Sequence, residues 1–317
     1  MINVLYCFDE NYNKQAAVSI FSLLEKVSEK INIYIIHKDP DTFINIKEKI
    51  DSHKNLSNLY IHKFINTKFS FPNVQGTHVS EATYYRFFIE EFLESKVDNI
   101  LYLDSDIVCV NDPIPEIILK TQKLKNSSKI IAAVSEPQSL RKSLELNSEK
   151  YFNAGVMLID FKKWQECEME ANLINLAENT KKEILFWDQD ILNLYFDGEY
   201  VELSSYMNHT LGMIPFEKLS YQSIKEIDKI NFIHYVGKFK PWSLKGIVNS
   251  KSKFYQDIHR VLFDSTYHLQ SSRKMNTILD LYKSIIRGVY FSVDYPFRLF
   301  IIVIKSLLRP SIKKSII

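Results

Sequence analysis

The sequence predicts an α/β fold with a mainly parallel central sheet. Short runs rich in Ile, Val, Leu and Tyr recur along the chain and have the length of buried strands. Segments whose apolar residues keep helical spacing lie between them. With 317 residues and 46% hydrophobic content, the chain is long enough to bury a substantial core. In such sheets ligands bind beyond the carboxyl ends of the strands, so chemistry is expected there.

Strands and helices are predicted to alternate in order along the chain. The predicted strands are residues 2–8, 31–37, 59–64, 100–103, 130–134, 156–160 and 230–236. The predicted helices are residues 14–27, 81–93 and 162–179. The first of these helices shows why, because Ala17, Ile20, Phe21, Leu24 and Val27 fall along one face. This alternation favours crossover helices between parallel strands.

The net charge of +2 is unevenly distributed. From Arg273 onward there are nine Lys or Arg and two acidic residues, a balance of +7, so the first 272 residues carry about −5. Nucleic-acid binding needs a basic face on the folded domain, and the acidic body therefore predicts that nucleic acid is not a partner.

Cysteine and glycine positions exclude several other classes. Cys7, Cys109 and Cys167 form no CxxC pair, which favours a reducing compartment over a disulfide framework or structural zinc site. The seven glycines are too far apart for a GxGxxG or P-loop pattern, so dinucleotide oxidoreductases and P-loop kinases are not indicated. The N-terminus lacks the basic start and long apolar segment of a signal peptide, and the expected location of the body is the cytoplasm.

An acidic pair follows the fourth predicted strand. Residues 99–112 read NILYLDSDIVCVND, so the strand runs directly into Asp104, Ser105 and Asp106. Two carboxylates one residue apart form a hard oxygen site suited to magnesium or manganese. Such a cation bridges carboxylate and diphosphate oxygens and offsets charge on a leaving group. The alternative is a solvated turn, which Asp and Ser also favour.

Four sequence blocks together resemble glycosyltransferase family 8, notably the bacterial lipopolysaccharide hexosyltransferases. The blocks are LYLDSD at 101–106, YFNAGVMLIDFKKW at 151–164, WDQDILN at 187–193 and HYVGKFKPW at 234–242. The resemblance covers about residues 1–242. It implies a glycosyltransferase-A type catalytic domain at 1–245, followed by a helical C-terminal segment at 246–317. It also implies a UDP-hexose donor, Mn²⁺ or Mg²⁺, and a glycan or glycolipid acceptor, with lipopolysaccharide core preferred.

The resemblance assigns a metal and diphosphate site. It places Asp104 on the donor sugar and metal, and completes the metal site with Asp106 and His234. A lone histidine beside a strand is usually a hydrogen-bonded structural residue, which is the alternative for His234. The loop that follows favours function, because Gly237 permits close backbone approach to phosphate and Lys240 supplies a point charge.

Further donor contacts are implied near the first strand and the third helix. Cys7, Asp9 and Asn11 lie where a nucleotide would cross the sheet edge, with Asp9 on uracil or ribose. An Asx-type turn capping the next helix is the alternative for Asp9, and both roles can coexist. Arg86 matches the family arginine on the donor sugar and first carboxylate, although helical arginines are usually solvated. Ser105 is placed with these donor-binding residues.

The blocks FNAG and WDQD supply the sugar-binding candidates. Asn153 has an amide suited to sugar hydroxyls, although Asn before a small residue and glycine is also typical of a turn. By resemblance Asp188 binds sugar hydroxyls and Gln189 faces the anomeric carbon. Asp190 has a structural alternative, as a cap of the helix that follows.

The residue at position 189 bears on mechanism. Double displacement needs a carboxylate nucleophile, and the amide of Gln189 is a poor one. The resemblance therefore implies retention by front-side attack, with Asp188 as a reserve nucleophile. Some family members carry an Asp where this chain has Ser135 and then Glu136, which leaves the hexose open between glucose and galactose.

Two other functions compete with glycosyl transfer. The pattern DxDx(T/V) of haloacid dehalogenase-like phosphatases is met by Asp104, Asp106 and Val108. That pattern normally follows the first strand, and no later GDxxxD completes its metal site. A non-catalytic sugar-nucleotide-binding module is the other alternative, and the complete set of candidate residues argues against it.

The C-terminal segment predicts attachment to an anionic membrane surface. Ile278, Leu279, Tyr282, Ile285, Ile286 and Val289 keep helical spacing, with Lys274, Lys283 and Arg287 nearby. Arg298 and Lys305 interrupt the apolar stretch at 297–308, so a spanning helix is not expected and the enzyme would be peripheral on the cytoplasmic face. Packing of this segment on the catalytic domain is the alternative.

Overall fold

The computed structural model describes residues 1–65, 69–71, 80–94, 96–136, 144–214, 216, 224–270 and 274–308. These residues form two compact units. The first unit contains Met1–His209 and Lys229–Ile233, and the second contains Thr210–Asp228 and His234–Ile317. The predicted domain boundary at residue 245 lies inside the second unit. The basic residues 273, 309, 313 and 314 lie outside the described residues.

A seven-stranded sheet is the centre of the first unit. Its strands are β1 (Ile2–Phe8), β2 (Ile31–His37), β3 (Leu56–Lys63), β4 (Asn99–Leu103), β6 (Ile131–Ser135), β7 (Phe152–Asp160) and β8 (Val201–Glu202), and the short β5 (Ile107–Cys109) follows β4 in the chain. The strand order is β3-β2-β1-β4-β7-β6-β8. β7 is antiparallel to β4 and β6, and the other neighbours are parallel, so the predicted mainly parallel sheet is confirmed.

The antiparallel strand β7 brings a second sequence block to the carboxyl edge of β4. Because the two strands run in opposite directions, the amino end of β7 lies beside the carboxyl end of β4. The backbone N–H of Asp104 donates to the carbonyl of Gly155 at 2.9 Å. The FNAG and DSD blocks therefore meet at one edge.

Helices cover the sheet of the first unit. They are α1 (Asn13–Lys26), α2 (Ile44–Asp51), α3 (Ile114–Lys125), α4 (Phe161–Glu166), α5 (Met169–Asn179) and α6 (Trp187–Phe196), with 3-10 helices at Glu10–Tyr12, Pro40–Phe43, Glu81–Glu91 and Ser205–Asn208. Fully buried Tyr84, Tyr85, Phe87 and Trp164 are among the aromatic residues of the core. Burying such side chains stabilises a fold by roughly 1.5–3 kcal/mol each.

Several predicted elements have different bounds. The predicted helix 162–179 is two helices, because Glu168 adopts a left-handed conformation with φ of 48°. The predicted helix 81–93 is a 3-10 helix with a non-helical residue at Phe88. β3 and β7 begin earlier than predicted, since Asn58 and Asn153 pair in the ladders despite their polarity. The strand predicted at 230–236 is limited to Phe232–His234.

A second, small sheet contains three short strands. β9 (His209–Thr210) and β10 (Phe232–His234) join β5 in the order β5-β10-β9. The backbone N–H of Val110 donates to the carbonyl of Asn231 at 2.8 Å, directly after β5. This ladder positions β10 next to the segment that follows the Asp104–Asp106 turn.

The second unit has a core of its own that includes the C-terminal helices. Its helices are α7 (Leu244–Ile247), α8 (Lys253–Phe263), α9 (Lys274–Ile286) and α10 (Pro296–Leu308), with 3-10 helices at Ser250–Ser252 and Tyr290–Ser292. The core includes Leu244 and Ile247 together with Val289, Leu299 and Val303. The C-terminal segment therefore contributes to the core of this unit.

Most of the predicted apolar face of α9 is nevertheless exposed. The exposed fractions are 46% for Ile278, 46% for Leu279, 62% for Tyr282, 38% for Ile285 and 65% for Ile286, whereas Val289 is buried. Among the residues that the structure describes, no helix combines the length and apolarity needed to cross a bilayer.

Candidate active site

The DSD block forms the turn between β4 and β5. The carbonyl of Asp104 accepts a hydrogen bond from the backbone N–H of Ile107 at 3.3 Å. The predicted turn is thus present, and it coexists with two partly exposed carboxylates on Asp104 and Asp106. Ser105 is buried, and its Oγ has no hydrogen-bond partner within the described part of the chain.

A buried arginine joins the two carboxylates predicted to bind sugar. Arg86 is 3% exposed, and its guanidinium forms ion pairs with Asp104 at 3.0 Å and Asp188 at 2.9 Å. It also donates to the carbonyl of Ala154 at 2.6 Å and lies 3.9 Å from the ring centroid of Tyr102. Burial opposes the charge, but Asp188 and the neighbouring groups raise the pKa of Arg86. The solvated alternative for Arg86 is wrong.

Asp188 is held on both carboxylate oxygens. Arg86 contacts Oδ2, and the hydroxyl of Thr83 donates a short hydrogen bond to Oδ1. Burial raises the pKa of Asp188 to about 6, although Arg86 and Thr83 lower it. Thr83 is a residue that the sequence interpretation missed. Its position in TYYR offered a signal, because residues i and i+3 share a face in a 3-10 helix.

Tyr102 is a second site residue that the sequence interpretation did not include. It lies two residues before Asp104 and therefore on the same side of the extended chain. Its hydroxyl donates to Asp104 Oδ1 at 2.8 Å. Asp104 Oδ1 thus accepts from a phenol and from Arg86, which fixes the orientation of the first carboxylate.

Gln189 and Asp190 lie in the first turn of α6, where they were predicted. The backbone N–H of Ala154 donates to Gln189 Oε1 at 3.0 Å, and Gln189 Nε2 donates to the hydroxyl of Tyr151 at 2.8 Å. Asp190 is 1% exposed and accepts from two backbone N–H groups just before the helix. Asp190 is therefore structural, but it does not cap the helix as predicted, because α6 begins at Trp187 and Asp190 lies inside it and binds the backbone that precedes it.

Asn153 is held in a network of its own. Its Nδ2 donates to Glu136 Oε1 at 2.7 Å, and its Oδ1 accepts from Gly155 N–H and Asn208 Nδ2, both at 2.9 Å. These bonds occupy the carbonyl oxygen and one amide N–H, and within the described residues the second amide N–H has no hydrogen-bond partner. Glu136, where the sequence departs from the family pattern, therefore orients Asn153.

The nucleotide-binding candidates lie at the carboxyl end of β1. Asp9 is 5% exposed and accepts from the N–H of Asn11 at 2.9 Å, which caps the 3-10 helix Glu10–Tyr12. The predicted Asx-type cap is confirmed, but it caps this short helix and not α1. Burial raises the pKa of the Cys7 thiol, and burial together with Asp106 and Asp9 raises the pKa of Tyr12.

His234 is the last residue of β10 and is 5% exposed. Its strand is paired next to β5, which follows the DSD turn. One ligand atom each from Asp104, Asp106 and His234 lie within 4.8 Å of one another. Two carboxylates and one imidazole are ligands that Mn²⁺ accepts, and the carboxylates also suit Mg²⁺, so the donor set fits the implied metal.

The loop after β10 contains the predicted diphosphate residues. Gly237 has φ of +80°, and a Cβ atom added there would meet no atom within 4 Å. This left-handed conformation explains the glycine. Lys240 donates from Nζ to the carbonyl of Tyr235 at 2.6 Å, so its ammonium lies against its own loop.

Comparisons with known proteins agree with this architecture. The profile of glycosyl transferase family 8 matches residues 3–246. A lipopolysaccharide 1,2-glucosyltransferase of Escherichia coli is 30% identical over 250 residues, 76% of this chain and 73% of that protein. Glycosyltransferase GlyF of Streptococcus pneumoniae serotype 4 is 28% identical over 222 residues, 68% of this chain and 51% of that protein.

A solved structure shares the fold. The crystal structure of the galactosyltransferase LgtC in complex with donor and acceptor sugar analogues has a TM-score of 0.66 and 20% identity, and the match covers 83% of this chain and 96% of that chain. The fold is therefore of the glycosyltransferase-A type. The chain belongs to glycosyl transferase family 8, and it is a glycosyltransferase. The phosphatase and non-catalytic alternatives are not supported.

Proposed function

We propose that this enzyme transfers a hexose from a UDP-hexose, with retention, to a glycan or glycolipid acceptor, and that lipopolysaccharide core is the preferred acceptor. The observation that carries the proposal is the cluster of Asp104, Asp106 and His234 beside the Arg86–Asp188 pair. Related proteins named as a lipopolysaccharide glucosyltransferase and a galactosyltransferase support a hexose donor.

Asp104, Asp106 and His234 would hold the divalent cation, Mn²⁺ or Mg²⁺. When bound, the cation offsets the negative charge on the UDP leaving group. The hydrogen bonds from Tyr102 and Arg86 to Asp104 Oδ1 support this role, because they fix the orientation of the first carboxylate. Ser105, with a buried hydroxyl between the two aspartates, is proposed to contact the donor.

Asp9, Asn11 and Cys7 are proposed to contact the nucleoside of UDP. Their position at the carboxyl end of β1, next to β4 in the sheet, supports this role. Gly237 and Lys240 are proposed to contact the diphosphate. Lys240 would exchange its bond to the Tyr235 carbonyl for a phosphate oxygen, which carries more negative charge.

The hexose is proposed to bind Arg86, Asp188 and Asn153. In the described part of the chain, Asn153 has three protein contacts and one amide N–H without a partner, and this donor suits a sugar hydroxyl. Asp188 is oriented by Arg86 and Thr83, so its remaining lone pairs have a fixed direction. A rigid carboxylate of this kind discriminates between hydroxyl positions.

Retention is proposed to occur by front-side attack. A double displacement needs a free carboxylate at the anomeric carbon, but Gln189 is an amide whose two ends are already hydrogen-bonded. The reserve nucleophile Asp188 is engaged by Arg86. The acceptor hydroxyl would attack from the side on which UDP departs, through an oxocarbenium-like state, and a UDP phosphate oxygen would take its proton.

The C-terminal helices are proposed to attach the enzyme to the cytoplasmic face of an anionic membrane. Met275 and Ile286 on α9, and Phe297 and Leu308 on α10, are each more than 60% exposed. Four basic residues, 283, 287, 298 and 305, are exposed on or directly after the same helices. Each basic residue near anionic lipid contributes on the order of 1 kcal/mol to attachment. Exposed apolar and basic side chains together favour an interfacial surface.

The experiment that tests the function is a screen of UDP-hexoses with manganese. Hydrolysis of the donor and protection against heat unfolding are scored for UDP-glucose and UDP-galactose, with GDP-mannose and phosphomonoesters as controls. We expect slow hydrolysis and protection with one UDP-hexose only when the metal is present. Equal results with all donors, or none with any, would contradict the proposal.

A further inference from the structure

A chain of hydrogen bonds joins β7 to the first turn of α6. The backbone N–H of Ala154 donates to Gln189 Oε1 at 3.0 Å, Gln189 Nε2 donates to the Tyr151 hydroxyl at 2.8 Å, and that hydroxyl donates to Asp190 Oδ1 at 2.7 Å. Tyr151 and Asp190 are 0% and 1% exposed. Water therefore cannot readily replace a partner that is lost.

Backbone donors at both ends fix the direction of every bond in this chain. Asp190 Oδ2 accepts from the N–H groups of Leu185 at 2.7 Å and Phe186 at 2.8 Å, so Asp190 acts as an acceptor throughout. The single proton of Tyr151 must then point to Asp190. At the other end, the N–H of Ala154 requires the carbonyl oxygen of Gln189, which turns the amide nitrogen toward Tyr151.

From this arrangement we infer that Tyr151 and Asp190 are positioning residues, which hold residue 189 as an amide in one orientation and disfavour a carboxylate there. The consequence for catalysis rests on the role proposed above for Gln189. The hydrogen-bond pattern itself is independent of that proposed role. Because Tyr151 has no proton left to give, only a side chain that accepts at one end and donates at the other fits position 189. An amide satisfies this condition.

Gln189→Glu leaves two carboxylates, the new one and that of Asp190, next to the single hydroxyl proton of Tyr151. One of the two oxygens facing Tyr151 then has no donor, beside two residues that are themselves buried, Tyr151 and Asp190. Asp190→Asn alone creates the opposite defect, a donor without an acceptor. Its carbonyl must accept from the backbone of residues 185 and 186, so its amide nitrogen donates to Tyr151, as Gln189 does, and the phenol proton loses its acceptor.

The two substitutions together restore a consistent chain. In Gln189→Glu with Asp190→Asn, the new amide donates to Tyr151, and Tyr151 donates to the new carboxylate, which still accepts from Ala154. The formal charge equals that of the original chain. The polarity through Tyr151 is reversed, so each substitution is expected to rescue the other.

Urea unfolding of the full-length protein tests this coupling. Each single substitution is expected to shift the folding equilibrium toward the unfolded state by roughly tenfold or more. The double variant is expected to recover to within about threefold of the original. If the two shifts simply multiply in the double variant, or if the double variant does not fold, the inference is wrong. Repeating the cycle in Tyr151→Phe should abolish the rescue, and a rescue that persists without the hydroxyl would also overturn the inference.

Turnover separates positioning from stability. The double variant is expected to regain stability while its kcat with the UDP-hexose stays at least roughly tenfold low, because residue 189 is no longer an amide. Full recovery of kcat would show that the amide is not what the network preserves. If the original enzyme turns over no UDP-hexose, the proposed function fails, but the unfolding cycle still decides the hydrogen-bond inference.

Discussion

Nε of Arg86 lies 2.9 Å from Oδ2 of Asp188, and each side chain is only 4% exposed. The pair joins the 3-10 helix Glu81–Glu91 to the first turn of α6, and a second ion pair extends it to Asp104 at the end of β4. Three elements that are distant in sequence are therefore tied by one guanidinium. The site depends on this residue for its shape as well as for its charge.

Removing the arginine should strongly destabilise the protein. Arg86→Met leaves two carboxylates without their buried partner, and we expect a loss of about 3–5 kcal/mol in the free energy of unfolding. Arg260→Met is the matched control, because Arg260 is 19% exposed and forms surface pairs worth about 0–1 kcal/mol. Equal losses in the two variants by urea unfolding would contradict the structural role of Arg86.

The raised pKa of Asp188 predicts a pH dependence of stability. Its pKa of about 6 lies above the ordinary value of 3.8, so the folded state holds a proton that the unfolded state releases in this range. The stabilising contribution is complete below about pH 4 and is lost as pH rises toward 6. The free energy of unfolding of the original protein, minus that of Asp188→Asn, should fall across this interval. A difference that is flat or that rises would show that the ion pair outweighs burial.

The proposed metal ligands should differ in their effects. Asp106→Ala is expected to lower turnover by roughly a hundredfold or more and to weaken UDP binding in the presence of manganese. His234→Ala should act in the same direction but more mildly, since water can replace one neutral ligand. Asp98→Ala is the control, because that side chain is 71% exposed. Unchanged activity of Asp106→Ala, or of the original enzyme in excess chelator, would contradict the site.

Membrane attachment should depend on the exposed face of the C-terminal helices. Deleting the segment would remove core residues such as Leu299, so point substitutions are the better test. Ile286→Glu with Phe297→Glu should reduce sedimentation with anionic vesicles by roughly tenfold or more, because apolar contact and charge attraction are both weakened. Donor hydrolysis should be unchanged. Leu119→Glu, at an exposed position on α3, is the control, and equal binding by all variants would contradict the proposal.

Most of the fold was predicted from continuous runs of apolar residues. β1 and β2 have the predicted bounds, because every residue at their centres is buried. The break within 162–179 was missed because it depends on one left-handed residue, Glu168, and no glycine marks it. A run of apolar residues also could not predict the parts of strands that contain polar residues, such as Asn153.

The carboxylates of the site were predictable, but the hydroxyls that orient them were not. The clustered acidic residues of the DSD and WDQD blocks indicate a functional site, whereas tyrosines and threonines resemble ordinary core residues. Thr83 and Asp188 are separated by 105 residues, and Tyr151 and Asp190 by 39. Only the strand order and the packing of α6 bring such pairs together.

The configuration of the product tests the central claim most directly. The enzyme, manganese and its UDP-hexose are incubated with an acceptor glycan, and the anomeric proton of the newly attached hexose is followed by NMR. Because the donor sugar is α-linked to UDP, the proposed front-side attack predicts an α-linked product and no sugar covalently attached to the protein in Gln189→Ala. A β-linked product would contradict retention, and an adduct on Asp188 would replace front-side attack with double displacement.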